Sequence, residues 1–466
     1  SKGGPRVVPT PSEQWWTEKA GIADCPHCGA LNRTDGNTEG KGVHCDDCGQ
    51  EIPGEHVEVY FSPAAFRTDF APKTSDGTEP PRNPVRRETG AIIKPMETTS
   101  VSGTNLSVAT GTEAYVIRRN RGPIKVGGEP ESYEIVSRTQ NSVYVPVRGF
   151  RSIAELPNQA ILAENAKSRE RWIEQPEGPA PLEVKLFSSK RTDAISIGML
   201  SIADGLSMNR IGTRSPSGTN LRASALSATH MLVQRASLAL DIAPEEFEPL
   251  EPRLRDGRPY LQIADTLVNG AGFCRRLAKA GKGSEPLVVE LTRSMLDTPD
   301  DTMTSSFFEQ SHRDECIRAC YRCIQRYGNR GYHGLLDWRL GLGFLRAMID
   351  PSYKAGLDGN FHTYPELEDW HSQAEMAAEN IRRLNPDHCT VISIGSLGLP
   401  TVIDKSNPKS HEAFVVVHPF WDLHTLARPL KEAVDELDHS LAVYFIDTFE
   451  ASRRLMSAMQ FARART

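Results

Sequence analysis

Nine cysteines carry most of the chemistry legible in this chain: Cys25, Cys28, Cys45, Cys48, Cys274, Cys316, Cys320, Cys323 and Cys389. The first four read C-P-H-C and, sixteen residues on, C-D-D-C. Two C-x-x-C knuckles at that separation let four thiolates converge tetrahedrally on zinc. Gly29 and Gly49 each follow a knuckle, where the backbone must turn sharply around an ion. The bland alternative is a disulfide pair, which the absence of a secretory leader disfavours. Some forty residues around these knuckles bury too little surface to fold alone, so the metal would supply the folding energy.

The second set is C-I-R-A-C-Y-R-C at 316–323, with Cys274 upstream in GAGFCRRL. On a helix over 313–327, positions 316, 320 and 323 fall on one face, and with Cys274 from another segment they make a second four-cysteine site; three core cysteines on a buried stripe are the alternative. Zinc is favoured there, and an iron–sulfur centre is the minor alternative. The C-x3-C-x2-C spacing also occurs in radical-SAM enzymes, but there an aromatic residue precedes the last Cys, and here it is Arg322. On the same helix Arg318, Arg322 and Arg326 recur every four residues, opposite the thiolates, with Tyr321, Tyr327 and Tyr332 nearby. Two readings stand for these arginines: neutralising a site of formal charge about -2, or touching a phosphate backbone. Cys389, in HCTVISI, reads as a core residue.

The elements that must position these residues follow from composition and pattern. The chain has 466 residues, 54 basic and 60 acidic, for a net charge of -6. That size fits about three domains. The charge excludes a histone-like basic protein, so nucleic-acid contact needs a local patch. No apolar run approaches the roughly eighteen residues of a membrane span, and the amino terminus has no apolar leader, so a cytoplasmic location is expected. The expected fold is a multidomain α+β and α/β chain. It comprises a zinc ribbon over 1–60, a β-rich basic segment over 61–160, a four-cysteine α/β domain over 161–360 and a small α/β domain over 361–466.

Residues 77–154 contain no Asp and carry eleven basic residues against seven Glu. Arg118, Arg119, Arg121 and Lys125 there are candidate nucleic-acid contacts, and Tyr115, Tyr133 and Tyr144 could stack bases. A solvated edge or a protein-contact face reads equally well. A helix and linker are expected over AENAKSRERWIEQPEGPAP, two strands over 182–199, a long helix over 219–241 and a strand at PYLQIAD. From 361 the strands CTVISI, AFVVVHP and LAVYFID alternate with helices at PELEDWHSQAEMAAENIRRL, WDLHTLARPLKEAVDEL and TFEASRRLMSAMQFARA.

Several enzyme classes lack their residues. Both Gly-Lys pairs, at 40–41 and 281–282, are followed by Gly, so no phosphate-gripping G-x-x-x-x-G-K-[ST] loop exists and the chain is not expected to be an ATPase of that kind. Glu183-Val184-Lys185 matches half of a restriction-type nuclease site, yet no Asp lies between Asp76 and Asp193. Gly270 and Gly272 could cradle a phosphate but more often mark a tight turn. Asp404, His411 and His418 have no nucleophile beside them and read as core or capping residues. No catalytic residue is assigned.

The run YLQIADTLVNGAGFCRRL…CIRACYRCIQRYGNRGYHGLLDWRLGLGFL resembles the zinc-binding domain at the carboxyl end of MrfA-type superfamily 2 DNA helicases. Cys274, the later three cysteines, Tyr327-Gly328-Asn329 and Leu336-Asp337-Trp338 match that family's ligands and flanks. The motor that precedes the domain there has no counterpart here. With the ribbon and the YFSPAAFRTDF element, the chain resembles the DrmB family of the bacterial DISARM antiphage system. The resemblance implies zinc on both cysteine sets and a DrmA-like helicase as partner in a heterodimer. It implies DNA with single-stranded character as the nucleic acid, and no catalytic residue in this chain. A metal-dependent nuclease with a degenerate site and a DNA-independent scaffold are the alternatives.

Overall fold

The computed structural model describes residues 16–36, 40–46, 48–63, 98–123, 182–209, 211, 218–297, 303–408 and 410–464, with strand segments at 6–9, 66–69, 85–92, 133–138, 142–147 and 152–154. It is a mixed α+β chain that divides into two compact units, residues 1–94 with 113–192, and residues 95–112 with 193–466. The helix and linker expected over AENAKSRERWIEQPEGPAP lie outside the described residues.

The first unit is built of strands in its described part, apart from a single 3-10 turn at Gly54–His56. Strand Trp16–Asp24 pairs antiparallel with Leu31–Asp35 on one side and Val57–Pro63 on the other. Lys185 and Leu186 add to the latter in parallel register, against Tyr60 and Phe61. Alternation puts Ala20, Ile22, Tyr60 and Phe187 into one small core, joined by Ile117. Residues 115–123 pair with Val85–Ile92, and Tyr133–Arg138 with Ser142–Val147. The two strands expected over 182–199 are one continuous strand, Leu182–Met199. Its polar centre, SSKRTD, holds neither Gly nor Pro to break the strand.

The second unit is built on helix Thr219–Leu240. Its small residues let helix Trp338–Ile349 lie close against it. All twelve residues of that second helix are buried. The approach is tightest at Gly341, where an added Cβ would stand 2.8 Å from Met231 Sδ and 3.0 Å from Ser227 Cβ. Strand Arg258–Asp265 pairs with residues 194–198. The carboxyl-terminal part holds the three expected strands and a fourth between the first two. Cys389–Ile394, Leu399–Asp404 and Glu412–Val417 run antiparallel, and Ala442–Asp447 joins in parallel. Leu399–Asp404 is the added strand, with Pro400 near its first residue, where a missing N–H is tolerated. The helix expected over 421–437 is shorter, Arg428–Asp435, starting where Pro429 can occupy the first turn. One apolar cluster runs through this unit from Val101 to Ala462, taking in the carboxyl-terminal sheet.

Candidate metal centres

The first cluster is built from two turns of the same construction. Cys25 N–H donates to Ala30 O and Gly29 N–H returns to Cys25 O; Cys45 N–H donates to Gln50 O and Gly49 N–H returns to Cys45 O. Gly29 and Gly49 sit at φ of 70° and 72°, the left-handed region where a Cβ is disfavoured. The result brings four sulfurs within 4.8 Å of one another. Cys25 and Cys48 Sγ are 3.6 Å apart, as are those of Cys28 and Cys45. A tetrahedral zinc with Zn–S near 2.3 Å needs sulfurs about 3.8 Å apart, so the donor set fits that ion. Asn32 braces the site: its Nδ2 donates to Cys45 Sγ at 3.4 Å while its Oδ1 accepts from Asp46 N–H. Burial pushes the Cys25 and Cys28 thiols up from their ordinary range. A divalent ion reverses that balance by holding them as thiolates.

The second cluster differs from the expectation in both backbone and ligands. Helix Gln310–Glu315 stops at Cys316, and residues 316–323 are turns rather than helix. Geometry demands this. On a straight helix positions 316 and 323 are separated by about 10 Å of rise, too far to share an ion. The turns place Cys316 and Cys323 Sγ 3.8 Å apart, and Cys320 and Cys323 Sγ likewise.

The fourth ligand position belongs to His312, not to Cys274. His312 Nε2 lies 3.5 Å from Cys320 Sγ, and its Nδ1–H donates to Phe307 O at 3.0 Å. That outer hydrogen bond fixes the tautomer and leaves the Nε2 lone pair for a metal. The ring is buried between Phe307 and Trp338. Cys274 is wholly buried elsewhere, its Sγ donating to Ile263 O and its amide to Asp265. Burial, with Asp265 beside it, pushes its thiol well up, so it behaves as a core residue. Within the cluster the hydrogen bond from Cys316 holds the Cys323 thiol down to about 5, while the same contact raises Cys316. Three thiolates and one imidazole on zinc leave a formal charge of about -1 rather than -2.

Residues not singled out in the sequence hold this loop in place. Arg339 Nη1 donates to Cys316 O and Ile317 O, and its Nη2 to Asp369. Gln234 Nε2 reaches Ile324 O. The family-like flanks are part of the same scaffold: Asn329 Nδ2 donates to Ile324 O, Asp337 caps the Trp338–Ile349 helix, and Trp338 packs on His312. No pattern in the sequence announced Arg339; a basic residue in an apolar helix was the available signal.

The arginine row disappears with the helix. Arg318 donates to Ser452 O, Arg322 pairs with Glu315 at 3.0 Å and Glu309 at 3.7 Å, and Arg326 is spent on three carbonyls and on Gln234 Oε1. In the first unit Arg119 is only 4 % exposed and forks both oxygens of Asp24 at 2.9 Å, which corrects its assignment as a phosphate contact. Arg118 is exposed; the side chain of Arg121 and the whole of Lys125 lie outside the described residues. One face of Tyr115 carries the Arg33 guanidinium; the side chains of Tyr133, Tyr144 and Glu183 lie outside the described residues.

The Gly270–Gly272 turn does not offer its amides to a ligand. Ala271, Phe273 and Cys274 N–H donate to Asp265, and Gly272 N–H to Asp193. Two carboxylates already fill the space a phosphate would take. His418 is buried and accepts from Phe420 N–H, with its pKa lowered to about 3 by desolvation, and Asp404 caps Ser406 N–H. No described helix is long and apolar enough to cross a membrane.

Comparison with family models gives no match, and no curated protein matches. Among solved structures, the crystal structure of the DUF1998 helicase MrfA bound to DNA is similar over 57 % of this chain, at 11 % identity and a TM-score of 0.29. The similar region spans a quarter of that helicase chain.

Proposed function

We propose that this chain is a zinc-binding, non-catalytic subunit that serves a superfamily 2 DNA helicase of DrmA type, in the cytoplasm, and helps it hold DNA during DISARM antiphage defence. The observation that carries the reading is the second cluster. Three cysteines that resemble the helicase-associated domain converge with His312, and the matched flanks Asn329, Asp337 and Trp338 are the residues that brace them.

Co-expression with a genomically adjacent DrmA-like helicase tests this. The two should co-elute as a stable complex that binds DNA more tightly than the helicase alone. Elution of this chain apart from that helicase refutes the partnership. A complex that binds DNA no better than the helicase favours a scaffold. Cleavage of DNA by the zinc-loaded chain with Mg²⁺ or Mn²⁺, abolished by Glu183→Ala, would mean a nuclease instead.

A further inference from the structure

We propose that the loop beside the second metal centre is a stacking platform for unpaired nucleobases, formed by Tyr321 and Tyr327 and charged by Arg330. This rests on the DNA-holding role above and names the surface responsible. Tyr321 is 65 % exposed and Tyr327 75 % exposed, unusual for aromatic side chains next to a packed core. Neither ring hangs free. Tyr321 stands edge-on to His333, with ring centroids 5.5 Å apart. Both acceptors of the His333 Nε2–H, Arg326 O at 2.9 Å and Asn329 Oδ1 at 3.0 Å, belong to the same loop. Arg330 lies 4.8 Å over the Tyr327 ring and donates to its hydroxyl at 2.7 Å. The rings are therefore held in place before any ligand arrives, which lowers the entropy cost of binding.

Charge selects the ligand. From Cys316 to Leu336 the chain has four arginines and no acidic residue. Arg322 is offset by Glu315, but no carboxylate among the described residues pairs with Arg330. A cation fixed on one face of an exposed tyrosine suits a polyanion whose flat bases occupy the open faces. Duplex DNA hides its bases in the stack, so the platform discriminates for single strands. The metal centre supplies rigidity: Cys320 and Cys323 bracket Tyr321, and the carbonyls of Tyr321 and Cys323 both accept from Arg326.

The test uses the full zinc-loaded chain and a fluorescent oligothymidylate of about 16 nucleotides, with a blunt duplex of equal length as comparison. The single strand should bind more tightly. Tyr321→Ala and Tyr327→Ala should each weaken it about 5- to 150-fold, the range for one lost base stack, while Tyr→Phe at either position retains binding. Zinc content, measured on every variant, reports whether the loop is intact. Unchanged affinity in the double alanine variant with its zinc in place overturns the proposal, as does equal binding of duplex. If the double variant instead releases the helicase while holding the oligonucleotide normally, the surface is a protein interface and the proposal fails. Failure of the wild-type chain to co-elute with a helicase refutes the partnership alone and leaves the oligonucleotide result standing.

Discussion

Replacing His312 by Phe separates ligation from packing at the second centre. The phenyl ring keeps the stack between Phe307 and Trp338 but removes Nε2 from its place 3.5 Å from Cys320 Sγ. Structural zinc sites bind with about 10–16 kcal/mol of apparent free energy, so one of four ligands is worth about 3 kcal/mol, roughly a hundredfold in affinity. The Phe307 carbonyl also loses its donor, a further cost of about 1 kcal/mol. Cys274→Ala is the counterpart. It removes a buried sulfur hydrogen-bonded to Ile263 O and leaves a small cavity costing about 1 kcal/mol, with no ligand lost. After dialysis against a chelator that competes near the weakened affinity, elemental analysis should give two zincs per chain for wild type and for Cys274→Ala, and one for His312→Phe. Two zincs in His312→Phe with one in Cys274→Ala would refute the ligand assignment.

Three other outcomes follow from the packing. Arg119→Ala should lower the stability of the first unit by about 2–3 kcal/mol in denaturant melts, below the full cost of a broken buried pair because Asp24 is 45 % exposed and can be hydrated; exposed Arg118→Ala should cost less than about 0.5 kcal/mol. Gly341→Ala should destabilise the second unit by about 1–3 kcal/mol, since its Cβ has no room beside Met231 and Ser227. His418 titrates near 6.5 when unfolded but only at about 3 when folded, so protonation favours the unfolded chain. Its contribution is complete above pH 6.5 and falls as the pH drops toward 3. Between pH 7 and pH 5 that amounts to about 2 kcal/mol, and the stability gap between wild type and His418→Gln should narrow by that amount.

The legible parts of this molecule were those in which local spacing fixes geometry. Two C-x-x-C knuckles contain their own turns, so the first cluster needed no knowledge of the rest of the fold. Helix Thr219–Leu240 and the three apolar strands of the carboxyl-terminal sheet announced themselves by period and length. The fourth ligand of the second cluster is not legible in cysteine spacing, because the donor is a histidine four residues before Cys316 and not Cys274. Residues 316 and 323 share a face of an ideal helix but not a height along it, so the chain leaves the helix at Cys316 and the arginine row is lost. The partners of Arg119 and Arg339 come from segments distant in sequence, Asp24 and Asp369, and only the fold brings them together.

X-ray absorption at the zinc edge tests the account most directly, because it reads ligand type and distance on the intact chain. Two ions, one held by four sulfurs and one by three sulfurs and an imidazole, should give an average shell of 3.5 sulfurs near 2.3 Å and half a nitrogen near 2.0–2.1 Å. A pure four-sulfur shell would contradict the place given to His312. An iron edge, or no bound metal at all, would contradict the zinc-organised scaffold itself.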